Sequence, residues 1–343
     1  MKIIIATHDT KEQAISGPLT EAFKSLGHYA EVIFTYYSLF NIKIPYQIPQ
    51  KFVRNYPVSF LLSGLIKLAR SNLQSKVLKI IKDSKPDLLV VIKGKHISVQ
   101  TIDEIRHNGV KTVNWFPDGM WNIGTLKRFT PHYDRLFVMD PNSKNALESA
   151  GFKNVSYLPM AACKLDNSKS LKQVLDSKEY DIAFVGTLAS HKEREEVLGK
   201  IKNFNLKIWG TPEWASSSLS KFYRGQARGQ KMLDIYQKSK IVVNIHVKDD
   251  LTQGPNLRSF EAMISGALVI SDYKKGLADL FIDREDIVYF RDPEELPILV
   301  ARYLNNSKER EKITSCGYNK VLSKHMMENR AQEILEKTFV DIS

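Results

Sequence analysis

Cysteine is nearly missing from this chain, with only Cys163 and Cys316 among 343 residues. They lie far apart with no metal-ligand spacing around them, so neither a disulfide framework nor a zinc site is expected, and a reducing cytoplasm is. Long apolar runs are missing too. The longest, Val58 to Ala69, is interrupted by Ser63, Gly64 and Lys67 and is too short and too polar to span a bilayer. The opening Lys2-Ile3-Ile4-Ile5-Ala6 is too short for the apolar region of a signal peptide and reads as a first buried strand. No Asp-x-Asp cluster stands at a strand end to argue for a divalent metal. There is also no short-period repeat and no nucleic-acid-binding motif. The formal net charge of +12 is scattered rather than blocked. It suits anionic partners such as nucleotides or lipid head groups, and nucleic acid is not expected as a main ligand.

What is present is ordinary for a soluble protein, 43% hydrophobic and 26% charged, with enough length for two domains. Short runs rich in Val and Ile alternate with amphipathic stretches, which is the pattern of a doubly wound α/β sheet. Strands are expected at Lys2 to Thr7, Glu31 to Thr35, Asp87 to Ile92, Lys111 to Trp115, Arg135 to Met139 and Asn154 to Leu158. A second series follows at Asp181 to Gly186, Leu206 to Trp209, Ile241 to His246, Ala267 to Ile270 and Ile287 to Phe290. Residues 164–179 are polar and rich in Ser and Lys, and read as a linker. This gives a first α/β domain over 1–163, a second over 180–320, and a C-terminal helix over 321–343 that could pack back on the first. Tyr36 to Pro57 reads as a long excursion over the first domain's surface.

The chain is organised around Gly254-Pro255-Asn256-Leu257-Arg258-Ser259-Phe260-Glu261, a loop entering a helix that ends at Gly266. Leu257, Phe260 and Ile264 mark its core stripe at offsets of three and four, and Glu261 falls inside that stripe. A carboxylate buried there without partners is costly, so it should meet hydroxyl or amide donors or Arg258; a Glu at the stripe's edge, paired or reaching water, is the other reading. In such sheets the loops at the strands' carboxyl ends form the ligand crevice, and a helix N-terminus offers N–H groups to an anion.

These residues, with Asp181 to Gly186, Asn244-Ile245-His246, Gly266 to Asp272, Leu280-Phe281, Trp115 to Asp118 and Asn154 to Ala161, resemble the CgeB-like (spore-maturation-protein-like) glycosyltransferases. The resemblance implies a GT-B fold, two Rossmann-like domains facing across a cleft. It also implies a nucleotide sugar held mainly by the second domain, no cofactor and no divalent metal. The acceptor, a glycan, lipid-linked group or protein, would be on the first. By that resemblance Glu261 binds ribose hydroxyls, and the Gly254 to Leu257 loop, which runs through Pro255 and Asn256, offers the backbone N–H groups of its non-proline residues to the diphosphate or sugar. Gln253 stands where retaining relatives carry a second glutamate, which leaves the stereochemical outcome open. Without a metal, cations must offset the leaving diphosphate. Candidates are Lys192 and Arg194 beyond Gly186, on what could equally be a solvated helix face, and Arg258. His246 and His191 lie near the donor loop.

A general base on the first domain is expected among His8, Asp9 and Asp118, all at carboxyl ends of strands. Trp115 and Trp121 beside Asp118 could stack on a sugar or belong to the core. A nucleotide-sugar 2-epimerase and a non-catalytic nucleotide-binding protein remain as rivals. Finally, Lys51 to Lys85 interleaves eight basic residues with apolar ones, suiting either an anionic membrane surface on the inner face or a helix packed on the sheet with its lysines solvated.

Overall fold

A computed structural model describes residues 1–8, 15–36, 38, 39, 42, 43, 56–164, 169–189, 191–247 and 251–339, with side chains from 63 onward in the long helix Tyr56–Ser84. Asp9 and most of the expected excursion lie outside the described residues; within the latter, Ser38–Leu39 pairs antiparallel with Ile42–Lys43. The chain divides into two compact units. The first comprises Met1–Val138, Ser143–Leu158 and the stretch from Ala331 onward, and the second Met139–Asn142 with Pro159–Arg330.

The first unit carries a six-stranded sheet of β1 (Lys2–Thr7), β2 (Tyr29–Phe34), β3 (Leu88–Ile92), β4 (Lys111–Phe116), β5 (Arg135–Val138) and β6 (Val155–Tyr157), in the order β2-β1-β3-β4-β5-β6. Every pairing is parallel, as in Ile3 opposite Leu88 and Leu88 opposite Lys111. Parallel strands covered on both faces need apolar residues at every position, and Ile3, Ile4, Ile5, Leu88, Leu89 and Val90 are fully buried. The Tyr56–Ser84 helix lays Ile66, Ala69, Leu73, Val77 and Ile81 on this core at helical spacing, while Lys67, Lys76, Lys79 and Lys82 are exposed. From Ile66 on, the stripe of Ile66, Ala69, Leu73, Val77 and Ile81 is buried, while Leu68 is 61% exposed. Among the described residues no helix is long and apolar enough to cross a membrane.

The second unit carries a five-stranded parallel sheet, β7 (Tyr180–Gly186), β8 (Leu206–Gly210), β9 (Ser239–Asn244), β10 (Leu268–Asp272) and β11 (Val288–Phe290), ordered β8-β7-β9-β10-β11. Ile182, Ile241, Leu268 and Ile270 form its core with Leu296, Val300 and Tyr303. Residues 164–179, where a linker is expected, contain the short helix Leu171–Asp176, begun by a Ser170/Gln173 capping box. In each sheet the strand order reverses once, between β1 and β3 and between β7 and β9. Those switch points are where a doubly wound sheet opens a crevice at its carboxyl edge.

Candidate functional site

At the second unit's switch point, β9 ends on the buried Asn244. Its amide donates to Ser259 Oγ and Ser271 Oγ, both at 3.1 Å, and its Oδ1 accepts from Asn256 Nδ2 at 3.0 Å. Asn256 Oδ1 accepts from Ser259 N at 3.1 Å, so Asn256 is the N-cap of the Leu257–Ile264 helix, a role worth about 1 kcal/mol. His246 completes the arrangement. Its backbone N–H and its Nδ1 reach Asp272 Oδ1 at 3.0 and 2.7 Å, and its Nε2 lies 3.2 Å from the backbone N–H of Asn256. That N–H can only donate, which assigns the ring proton to Nδ1. His246 and Asn256, both expected at the donor site, therefore set where the helix begins, Asn256 through its side chain. Burial would raise the Asp272 carboxyl, but His246 outweighs it and holds the group below its ordinary value. Sequence reasoning assigned no part to Ser259, Ser271 or Asp272; for Ser271 and Asp272 the one signal was polar residues closing an apolar strand.

The helix is rotated from the expected stripe. Ser259, Phe260, Ala262, Met263 and Ile264 are buried, while Leu257, Arg258 and Glu261 share a half-buried side. Ser259 can face the core because Asn244 and Asn256 satisfy it. On the half-buried side the polar groups are left open. Among the described residues, nothing hydrogen-bonds the backbone N–H groups of Leu257 and Arg258 or the carboxylate of Glu261, and Arg258 Nε is buried without a partner. Burial pushes Glu261 up to about 7, with Arg258 pulling the other way. A cation, a poised carboxylate and two helix N–H groups on one face suit a ligand that combines an anionic group with hydroxyls.

The neighbouring loops hold this face in place. Arg194 is buried; its guanidinium donates to the Thr187 carbonyl at 2.8 Å and the Ile245 carbonyl at 3.0 Å, tying the ends of β7 and β9 together. Burial, with Arg258 adding to it, pushes Arg194 down to about 10. Gly186 ends β7 with its carbonyl accepting from Trp214 Nε1 at 2.8 Å. Lys192 is exposed at the cap position of the Glu193–Gly199 helix, and the His191 ring nearby is lowered by burial and by Arg194. A cavity of about 550 Å³ opens beside His246 and Asp272, lined also by Tyr273, Lys274 and Arg291.

Gln253 and Gly254 are anchored by Asp140, a fully buried carboxylate with no role foreseen in the sequence, whose Oδ1 accepts from their backbone N–H groups at 2.7 and 2.9 Å. Only glycine fits at 254, since a Cβ would stand 2.5 Å from the Met139 carbonyl oxygen. Pro255 follows, buried. The Gln253 side chain is spent locally, its Oε1 accepting from Lys275 N at 3.1 Å. Replacing Gln253 by alanine should therefore cost about 1 kcal/mol of stability and lower turnover by no more than about tenfold. Thermal unfolding with initial rates checks this; a thousandfold loss of rate would make the amide catalytic.

In the first unit, His8 stacks on His96 with ring centroids 4.8 Å apart, joining the ends of β1 and β3. Asp118 pairs with Lys93, Nζ to Oδ1 3.1 Å. Trp115 is fully buried, its Nε1 donating to the Leu158 carbonyl at 3.2 Å, so it is core and not a sugar platform; Trp121 is 59% exposed.

Residues 192–336 match the family described as Glycosyl transferase-like. No curated protein matches. Among solved structures, the sucrose-phosphate synthase of Thermosynechococcus elongatus is similar over 98% of each chain, with TM-score 0.67 and 12% identity. Anabaena Alr3699/HepE in complex with UDP covers 98% of this chain and 99% of its own, with TM-score 0.64 and 11% identity. A glycosyltransferase from Rickettsia africae covers 98% and 97%, with TM-score 0.63 and 11% identity. The fold is GT-B. With the matched segment it defines the class of the protein, a glycosyltransferase of GT-B type.

Proposed function

We propose that this glycosyltransferase moves a sugar from a nucleotide-activated donor, a UDP-sugar, to its acceptor without a metal ion, following the CgeB-like pattern. One observation carries the reading: Arg258 Nε, the Glu261 carboxylate and the N–H groups of Leu257 and Arg258 share one side of the helix with no hydrogen-bond partner among the described residues. Glu261 accepts the ribose hydroxyls. The two N–H groups and the Arg258 guanidinium take the diphosphate, and their positive charge offsets what develops on it as the glycosidic bond breaks. Arg194 and His246 act as positioning residues, since the two Arg194 Nη groups fix the strand ends and both His246 ring nitrogens fix the helix start. The UDP choice rests on the Anabaena protein, which is in complex with UDP.

On the acceptor side the base is His8. Asp118 is engaged by Lys93, and Asp9 lies outside the described residues. A base of this kind belongs to an inverting displacement, in which the acceptor hydroxyl loses its proton as it attacks the anomeric carbon and UDP leaves. UDP at about a hundred times its dissociation constant should raise stability by about 2.7 kcal/mol, seen as a higher melting temperature, and incubation with UDP-sugars should release UDP. No shift with any nucleoside diphosphate would end this reading. Conversion of free donor to its 2-epimer would replace it.

A further inference from the structure

At the carboxyl edge of the first unit's sheet stands an aromatic side chain that the donor chemistry does not use. Of the four tryptophans, Trp115 and Trp214 are fully buried and Trp209 is 5% exposed, whereas Trp121 is 59% exposed. An indole left in water forgoes the stabilisation that its burial would give. A single exposed apolar residue needs no explanation by itself, and what marks Trp121 is how its surroundings are fixed. It lies in the short turn Met120–Asn122 that follows β4. The next residue, Asn122, is buried, and its Oδ1 accepts from Lys95 Nζ at 2.8 Å. Three residues before Trp121, Asp118 pairs with Lys93 at 3.1 Å, both side chains being partly exposed.

Lys93 and Lys95 belong to the turn that leaves β3. Lys93 has a φ of 62°, a left-handed conformation that a lysine seldom adopts, and its N–H donates to the Trp115 carbonyl at 3.0 Å. The same turn carries His96, on which His8 stacks with ring centroids 4.8 Å apart. One turn thus joins the base to the loop that presents the tryptophan. In the sheet order β1, β3 and β4 are neighbours, and strand spacing sets the ends of β1 and β4 about 10 Å apart, within reach of one short glycan.

A sugar ring has an apolar C–H face and a polar edge. A flat indole meets the face, while a carboxylate accepts from the hydroxyls at the edge and an ammonium donates to them. We infer that the acceptor is a carbohydrate, one of whose rings stacks on Trp121 while the Lys93 and Asp118 side chains hydrogen-bond its hydroxyls. Trp121 is then a specificity-determining residue, holding the glycan so that a further ring extends toward His8. The word acceptor rests on the glycosyltransferase reading; the carbohydrate platform does not.

The test applies the full chain, with and without UDP, to a printed array of glycans. Each glycan that binds is then titrated in solution against wild type, Trp121→Ala and Trp121→Phe, with folding checked by circular dichroism. The alanine variant should bind about tenfold or more weakly and the phenylalanine variant should keep much of the affinity, while UDP binds all three alike. Iodide quenching of fluorescence reads the contact without a variant. Because Trp121 is the one well-exposed tryptophan, quenching in the wild type should fall as the glycan saturates. A wild type that binds no glycan overturns the inference, as does equal binding by a folded alanine variant or quenching that a bound glycan leaves unchanged. Sedimentation of the wild type, but not of Trp121→Ala, with vesicles of phosphatidylglycerol and phosphatidylcholine would make the tryptophan a membrane anchor and overturn it equally. Glycan binding that depends on Trp121, in a chain that binds no nucleoside diphosphate, would sink the glycosyltransferase reading and leave the carbohydrate platform standing.

Discussion

His8→Gln should lower sugar transfer by about a hundred- to ten-thousandfold, the range lost when a positioned general base is removed, while UDP affinity stays as in the wild type. The split follows from where the residue stands. His8 closes β1 in the first unit, whereas the open face of Arg258 and Glu261 belongs to the second. A glutamine keeps much of the ring's size and polarity but cannot accept a proton near neutral pH, so folding should survive. The rival is Asp118. Its ion pair with Lys93 commits its charge, and Asp118→Asn should cost less rate than His8→Gln. Steady-state rates and UDP calorimetry on both variants decide between them, and the reverse order would move the base to Asp118.

Asp140→Ala should destabilise the protein by about 3 to 5 kcal/mol. The lost carboxylate is fully buried, and its removal strands the N–H groups of Gln253 and Gly254. Each buried donor left unsatisfied costs about 1 to 3 kcal/mol, and an alanine leaves a cavity in addition. Because Gly254 enters the loop before Asn256, UDP affinity should fall with stability. Asp140→Asn, which keeps one acceptor oxygen, should recover part of both. Denaturant unfolding of the two variants checks this, and an alanine variant within 0.5 kcal/mol or so of wild type would show that other groups anchor the loop.

The strands were legible because buried parallel strands need β-branched and apolar residues at every position, and the runs at Lys2 to Ala6, Leu88 to Ile92 and Ile241 to Val243 carry that signal undiluted. The helix face at Glu261 was harder. Counting apolar residues placed Leu257 and Glu261 with the core, because the pattern cannot show that Ser259 is buried and satisfied by Asn244 and Asn256. Arg194 sits in a run of alternating charges that reads as a solvated face, yet it is buried on two carbonyls that only the folded strand ends bring near. Asp140 and Gly254 meet across more than a hundred residues of chain, with no local pattern to announce it.

Whether Glu261 receives the ribose of a UDP-sugar is read from UDP-glucose affinity as a function of pH. With its folded pKa raised to about 7, Glu261 favours the folded state when protonated; that contribution is present below its ordinary range and is lost as pH rises through about 7. The ligand's hydroxyls need the ionised form, and the diphosphate of UDP-glucose does not titrate near neutrality. Affinity should therefore be flat above about pH 8 and weaken toward about tenfold per unit as pH falls below about 7. Glu261→Gln should bind about tenfold or more weakly at about pH 8 and lose the pH dependence. Wild type and variant binding UDP-glucose equally, with flat profiles between about pH 6 and about pH 8, would contradict the account.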